Sequence, residues 1–356
     1  MKTQIIKISP DNFCDEELLS AAEIIKNGGL VIFPTETVYG LGADGTSSSA
    51  ANKIYGAKGR PSDNPLIIHV SAPSDAEKYT YTNKTYDLLA KKFMPGPLTV
   101  VLPARPIIPM ETRASLPTVA VRCPSHPIAN ALIRLAGVPI AAPSANLSGS
   151  PSPTKAVHVI DDMSGRVDMI IDGGDSEVGL ESTIVKIEDD GSVLLLRPGK
   201  ITIEELATVC PDVRIADAVT EQLKAGEKVL SPGMKYKHYA PKSPVYLIDG
   251  DSSSAVKYIA KRAESGSVAI LCYESDIDTF RDAIPGAYIY EFGDADDELR
   301  QAHILFDILR DTDKHNFDEI YAPLPRKEGI GLALYNRMIR AAAHKIIKLK
   351  TVGDNG

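Results

Sequence analysis

The chain has 356 residues, 44% apolar and 24% charged, with a net charge of −8. That length exceeds what one hydrophobic core organises, so two folded domains are expected. The acidic balance argues against bulk attraction to nucleic acid or anionic lipid, and no apolar run approaches the roughly eighteen residues a membrane helix needs.

The stretch after Met1 turns polar at Asp11 and Asn12 without a long apolar segment. A cytoplasmic location with no membrane partner is therefore expected. Cys14, Cys123, Cys210 and Cys272 form no CxxC pair, and no histidine stands at metal-ligating spacing. Free thiols and no protein-held metal follow.

Asp15 is placed to cap a helix to about Lys26, with Leu18, Ala21, Ala22 and Ile25 on one face and Asn27, Gly28 and Gly29 ending it. A buried strand, Leu30 to Phe33, follows. A second helix begins near Ser47 to Ser49 and is stopped by Gly59 and Pro61. Then come a strand at Leu66 to Val70, a helix at Tyr86 to Phe93, strands at Leu98 to Leu102 and Thr118 to Arg122, a helix at Pro127 to Ala136 and a strand at Val138 to Ala142. Strands at Met169 to Ile171, Thr183 to Ile187 and Val193 to Leu196 arrive without long helices between them, which predicts an α/β fold with a mixed sheet.

After a short helix from about Ile203 the pattern weakens. Ser231 to Ser243 carries Lys235, Lys237, His238 and Lys242 with no acid, and reads as an exposed basic linker. A second alternation follows: strand Val245 to Ile248, helix Ser254 to Glu264, strand Val268 to Cys272, helix Asp276 to Ala283, a long helix to about Asp313 and strand Glu319 to Ala322. The expected organisation is an N-terminal domain over 1–205, a linker over 206–243 and a smaller Rossmann-like α/β domain over 244–350.

Charge is unevenly spread. From Leu88 to Ile160 one acid, Glu111, stands against seven cations, Lys91, Lys92, Arg105, Arg113, Arg122, Arg134 and Lys155. From Glu274 to Glu319 acids dominate instead. Gly40 to Gly45 spells GxGxxG, but Pro34 to Tyr39 separates it from the preceding strand, so the dinucleotide geometry is absent and a glycine-rich turn is expected.

Lys58 and Arg60 close the second helix, where two cations suit the helix dipole; both are expected to follow the helix end rather than fill a core. His69 stands in the buried strand after them. Pro34 to Gly40 and Pro143 to Ser152 both leave buried strands as polar loops, the second rich in hydroxyl and amide groups able to wrap a phosphate. With Thr118 and Arg122 bracketing a strand in the basic window, these features point together to one polyanion site.

The blocks FPTETVYGLG (Phe33 to Gly42), KGRPSDNPLIIHV (Lys58 to Val70), MPGPLT (Met94 to Thr99), TVAVRCP (Thr118 to Pro124), PIAAPSANLSGSPSPT (Pro139 to Thr154) and LESTIV (Leu180 to Val185) occur in order. They resemble the YrdC-type threonylcarbamoyl-AMP synthases. SPGMKYKHYAP (Ser231 to Pro241) followed by a second α/β domain is similar to the long, two-domain form of that family.

The resemblance implies a nucleotidyltransferase that condenses L-threonine, bicarbonate or CO2, and ATP to threonylcarbamoyl-AMP and pyrophosphate, for the N6-threonylcarbamoyladenosine at position 37 of tRNA. It also implies Mg2+ with the ATP and a downstream threonylcarbamoyl transferase as partner. By motif, Thr35, His69, Arg122, Ala142 and Ser182 correspond to the threonine and carbamate contacts. Lys58, Arg60, Ser62, Thr118, Ser144, Asn146, Ser152, Arg197 and Tyr236 correspond to the nucleotide contacts, with Lys58 and Arg60 as the catalytic pair. Other readings are an RNA-binding module resting on the basic window, with a weak contact to tRNA; an NAD-dependent oxidoreductase resting on GxGxxG; and a carbamoyl adenylation of another acceptor. Aromatic residues are only 6% of the chain, which weakens the first.

Overall fold

Short β-rich apolar runs separated by helices build one mixed sheet in the N-terminal part of the chain. The computed structural model describes residues 2–221 and 239–349. These fall into two units, 2–148 with 152–221 and 149–151 with 239–349. No helix among the described residues is long and apolar enough to cross a membrane.

The first unit runs β1 (Gln4–Lys7), α1 (Leu19–Lys26), β2 (Val31–Phe33), β3 (Gly40–Asp44), α2 (Ser48–Lys58), β4 (Ile67–His69), α3 (Lys84–Phe93), β5 (Leu98–Pro103), β6 (Thr118–Arg122) and α4 (Pro127–Ala136). It continues through β7 (Ile140–Ala141), α5 (Ala156–Met163), β8 (Met169–Asp172), β9 (Thr183–Ile187), β10 (Val193–Arg197), α6 (Ile203–Ala207) and β11 (Val213–Ile215). The strands lie in the order β1-β8-β2-β3-β7-β4-β6-β5-β9-β10-β11. Pairings are of both senses: β4 runs parallel to β6, and β5 antiparallel to it. The sheet is mixed, as expected. One core packs α1 and α4 against it through Leu18, Ile25, Ile128, Leu132, Phe33 and Ile171, all inaccessible to solvent.

Local chemistry explains most boundaries. Ser47 accepts a hydrogen bond from the Ala50 N–H, and Gly59 closes α2 at φ 63°. Gly137 ends α4 in the same left-handed conformation. Asp15 does not act as the cap expected of it. The first turn is a 3-10 segment beginning after Cys14, whose N–H donates to the Glu17 carboxylate, while Asp15 pairs with Arg134 at 2.7 Å.

Two expectations need larger correction. The GxGxxG segment is no turn: Gly40–Asp44 is strand β3, paired antiparallel to β2 and to β7. A Cβ on Gly42 would come within 2.7 Å of the Phe33 and Ile140 side chains, so close strand packing, not a phosphate, is what the glycine serves. Nor does a linker begin at 206, because β11 extends the sheet beside β10. Residues 222–238, and with them Tyr236, lie outside the described residues.

The second unit is β12 (Val245–Asp249), α7 (Ser252–Ala263), β13 (Val268–Cys272), α8 (Ile277–Ala283), β14 (Tyr288–Glu291), α9 (Glu298–Thr312), β15 (Glu319–Pro323), α10 (Gly331–Ala341) and β16 (Ile346–Lys348). Its five strands are all parallel, in the order β14-β13-β15-β12-β16. This is the doubly wound α/β arrangement that helix–strand alternation demands. Tyr239, just outside the undescribed segment, stacks on Phe306 at 5.2 Å, with the buried Arg337 guanidinium 5.6 Å from its ring.

Candidate active site

Side chains at the ends of neighbouring strands in the interior of the first unit's sheet form a continuous polar row. His69 ends β4 and stands directly opposite Arg122, which ends β6; Arg122 is in turn opposite Thr99 at the start of β5. Because side chains alternate along a strand, these three directly paired residues share a face. The Thr99 and Ser182 hydroxyls lie 2.7 Å apart, and Arg197 donates from Nε to the Ser182 carbonyl and from Nη2 to its hydroxyl, both at 3.1 Å. The same face carries an apolar cluster of Ile67, Val101, Ala120, Ile184 and Leu196. A polar row thus borders an apolar floor.

The ionisation of the row is set by burial. Loss of water, followed by the nearby Arg122 charge, pushes the His69 imidazole down to about 3, so the ring is neutral at physiological pH. Its Nδ1 faces the Ile140 carbonyl at 3.2 Å. A carbonyl can only accept, which puts the proton on Nδ1 and leaves Nε2 as an acceptor.

Arg122 does not wait unpaired for a ligand. Its Nη2 lies 2.7 Å from the carboxylate of Glu36, and both residues are buried. Burial alone would raise the Glu36 carboxyl; Arg122 outweighs it, with the backbone N–H groups of Glu36 and Ser125 assisting, and holds the carboxyl below the usual range. These contacts reach the carboxylate obliquely. Neither Glu36 oxygen receives a well-directed hydrogen bond, and Nε and Nη2 of Arg122 donate none. Glu36 was not among the expected site residues.

A second cluster forms where the loop after β7 returns past α2. Lys58 Nζ donates to the Ser144 and Asn146 carbonyls, both at 2.5 Å, and to Asn146 Oδ1 at 3.3 Å. Ser144 Oγ donates to the same Oδ1 at 2.6 Å. The Ala145 N–H donates to the Tyr39 carbonyl, tying this loop to the PTETVYG segment. Lys58 is only 3% exposed, so the expectation of a free helix-end cation is corrected for this residue. Its ammonium is the clasp of the Ser144–Asn146 loop.

The remaining expected residues divide. Thr35 is buried beside Glu36, but its hydroxyl is the hub of its own turn, donating to the Val38 carbonyl at 2.6 Å and accepting from the Thr37 and Val38 N–H groups. Ala142 is buried, and its N–H donates to the Ile67 carbonyl. Ser152 donates to the Glu181 carboxylate at 2.5 Å, joining the serine-rich loop to the residue before Ser182. Arg60 turns back to the Asn64 and Pro65 carbonyls, and Ser62 sits in an exposed turn. Thr118 begins β6, on the face of Arg122 but about 13 Å along the strand from it.

Most of the basic window points away from this site. Arg134 pairs with Asp15, Arg105 donates to the Glu77 and Thr80 carbonyls beside Tyr81, and Lys91 and Lys92 are exposed at the end of α3. Of its seven cations only Arg122 lies in the polar row. Among the described residues no group of three His, Cys, Asp or Glu side chains gathers as for a metal ion.

Family comparisons agree with this architecture. The Sua5/YciO/YrdC family model, described as telomere recombination, matches residues 23–199, and the model described as the C-terminal domain of threonylcarbamoyl-AMP synthase matches residues 201–343. The threonylcarbamoyl-AMP synthase of Bacillus subtilis is 42% identical over 338 residues, covering 94% of this chain and 95% of the relative. That of Pyrococcus abyssi is 42% identical over 334 residues, covering 92% and 95%. The solved structure of P. abyssi Sua5 complexed with L-threonine superposes with a TM-score of 0.89 at 39% identity, covering 98% of this chain and all of that one.

Fold, polar row and clasped loop therefore define a two-unit α/β enzyme. The chain belongs to the threonylcarbamoyl-AMP synthase family.

Proposed function

We propose that the chain joins L-threonine, bicarbonate or CO2, and ATP into threonylcarbamoyl-AMP with release of pyrophosphate, an adenylyl transfer supplying the threonylcarbamoyl group of tRNA. The observation that carries this is the His69–Arg122–Thr99–Ser182–Arg197 row beside the Lys58-clasped Ser144–Asn146 loop, in a chain whose relative was solved with L-threonine bound.

Arg122 would grip the threonine carboxylate through its guanidinium, as guanidinium forks do. Neutral His69 offers Nε2 to the threonine hydroxyl, Ser182 reaches the carbamate, and Thr35 and Ala142 wall the pocket through a fixed turn and strand. The Ser144–Asn146 loop, Ser152 and Arg197 would hold phosphates and ribose, Thr118 and the apolar floor the base, with Arg60, Ser62 and Tyr236 completing the nucleotide side. Mg2+ would enter with the triphosphate as part of the substrate. The downstream transferase and any direct RNA contact stay with this proposal.

The reaction asks mainly for charge neutralisation and alignment. A carbamate oxygen of N-carboxy-threonine forms a bond to the α-phosphorus as the bond to the β-phosphate oxygen breaks, and pyrophosphate leaves with that electron pair. The nucleophile is already an anion, so this step needs no base. Incubation with ATP, L-threonine and 13C-bicarbonate is expected to give an adenylate carrying one labelled carbon by mass spectrometry. Unlabelled threonyl-AMP would overturn the reading.

A further inference from the structure

We propose that Glu36 binds the α-ammonium of the amino-acid substrate and is the first acceptor of the proton that this nitrogen must lose before it is carboxylated. The inference rests on the function just proposed and extends it to a residue with no assigned role.

Glu36 is 5% exposed and Arg122 4%, and the two touch at 2.7 Å, yet neither oxygen of the one nor Nε and Nη2 of the other makes a well-directed hydrogen bond. Buried polar groups are almost always satisfied, and a buried ion pair whose members meet only obliquely is an unfinished arrangement. A free amino acid supplies what is missing. Its carboxylate offers acceptors to the guanidinium and its ammonium offers three donors to the carboxylate. The pair is the charge image of a zwitterion. The oblique approach of Arg122 leaves the Glu36 lone pairs open to a second donor.

The chemistry requires such a group. An ammonium nitrogen has no lone pair with which to attack carbon. Transfer of one N–H proton to a Glu36 oxygen frees that pair, which forms the N–C bond to CO2 while one C–O π pair moves onto oxygen. The nitrogen then releases a second proton to solvent, and Glu36 later releases the first. In balance, R–NH3+ and CO2 give R–NH–COO− and two protons. Arg122 holds Glu36 ionised in the free enzyme. Once the substrate carboxylate shares that guanidinium, its hold on Glu36 weakens and burial makes the carboxylate a stronger base at the moment it is needed.

The test compares calorimetric binding of L-threonine with that of (R)-3-hydroxybutanoate, which keeps the carboxylate and hydroxyl but lacks the ammonium. Wild type is expected to prefer threonine by about 100-fold, and Glu36→Gln by less than about five-fold, with turnover at saturating threonine reduced by roughly 100-fold or more. An unchanged preference in folded Glu36→Gln overturns the proposal. Should that variant not fold, Glu36→Asp, which keeps the charge but withdraws it by one methylene, is expected to lose about ten-fold of the preference, and an undiminished preference there overturns it equally. Wild type that binds no threonine at all would overturn the functional reading itself, and this proposal with it.

Discussion

Lys58→Met is expected to reduce pyrophosphate release by at least about 100-fold in a protein that still folds but is less stable. The methionine keeps the unbranched stem in its buried slot and removes the ammonium. That ammonium donates to two loop carbonyls at 2.5 Å and to Asn146 Oδ1 at 3.3 Å; its loss takes the donor from both carbonyls, while Oδ1 keeps the Ser144 hydroxyl. Each stranded acceptor costs about 1–3 kcal/mol. Under the proposed function the Ser144–Asn146 loop then loses both its fixed shape and a positive charge beside the reacting phosphate, where one removed donor costs on the order of 100- to 1000-fold. Urea titration and a pyrophosphate assay check the two halves separately. Near wild-type turnover in a destabilised variant would make Lys58 a structural clasp only.

Arg122→Met is expected to abolish threonine binding and to destabilise the protein by about 3–5 kcal/mol at neutral pH, because it leaves a buried carboxylate without its cation. The loss should depend on pH. With Arg122 present, the Glu36 carboxyl is held below its ordinary value, so the pair stabilises the fold above that value and is lost only as pH falls through the depressed one. Without Arg122, burial dominates and pushes the carboxyl above its unfolded value. The sign reverses: the penalty is present at neutral pH and relieved by protonation on acidification. Unfolding free energies at pH 7 and pH 4 should show the gap between variant and wild type shrinking at the lower pH. A gap independent of pH would contradict the placement of Glu36.

Much of this was legible in the sequence, and the failures have physical causes. The apolar runs at Leu66 to Val70 and Thr118 to Arg122 announced β4 and β6 and so put His69 and Arg122 at strand ends; that the two are directly paired needed the register. Strand β3 was hidden because glycines disfavour strands, and only the approach of Phe33 and Ile140 shows why they are tolerated there. Helix α10 was missed because it opens on Gly331 without a capping side chain, and because its polar residues Asn336 and Arg337 are themselves buried. Lys58 looked like a helix-end cation because the loop that closes on it lies 86 residues downstream. Glu36, between two threonines, looked like a polar turn. The basic window misled for a related reason: charges adjacent in sequence point from different elements into different surroundings. Contiguous motif blocks, by contrast, survive any fold, and they led to the family.

The proposed reaction is tested most directly by pyrophosphate release from the full chain with ATP and Mg2+, measured with L-threonine and bicarbonate both present and with each omitted in turn. Release is expected only when both are supplied. Release that persists without bicarbonate, or with neither, would contradict it.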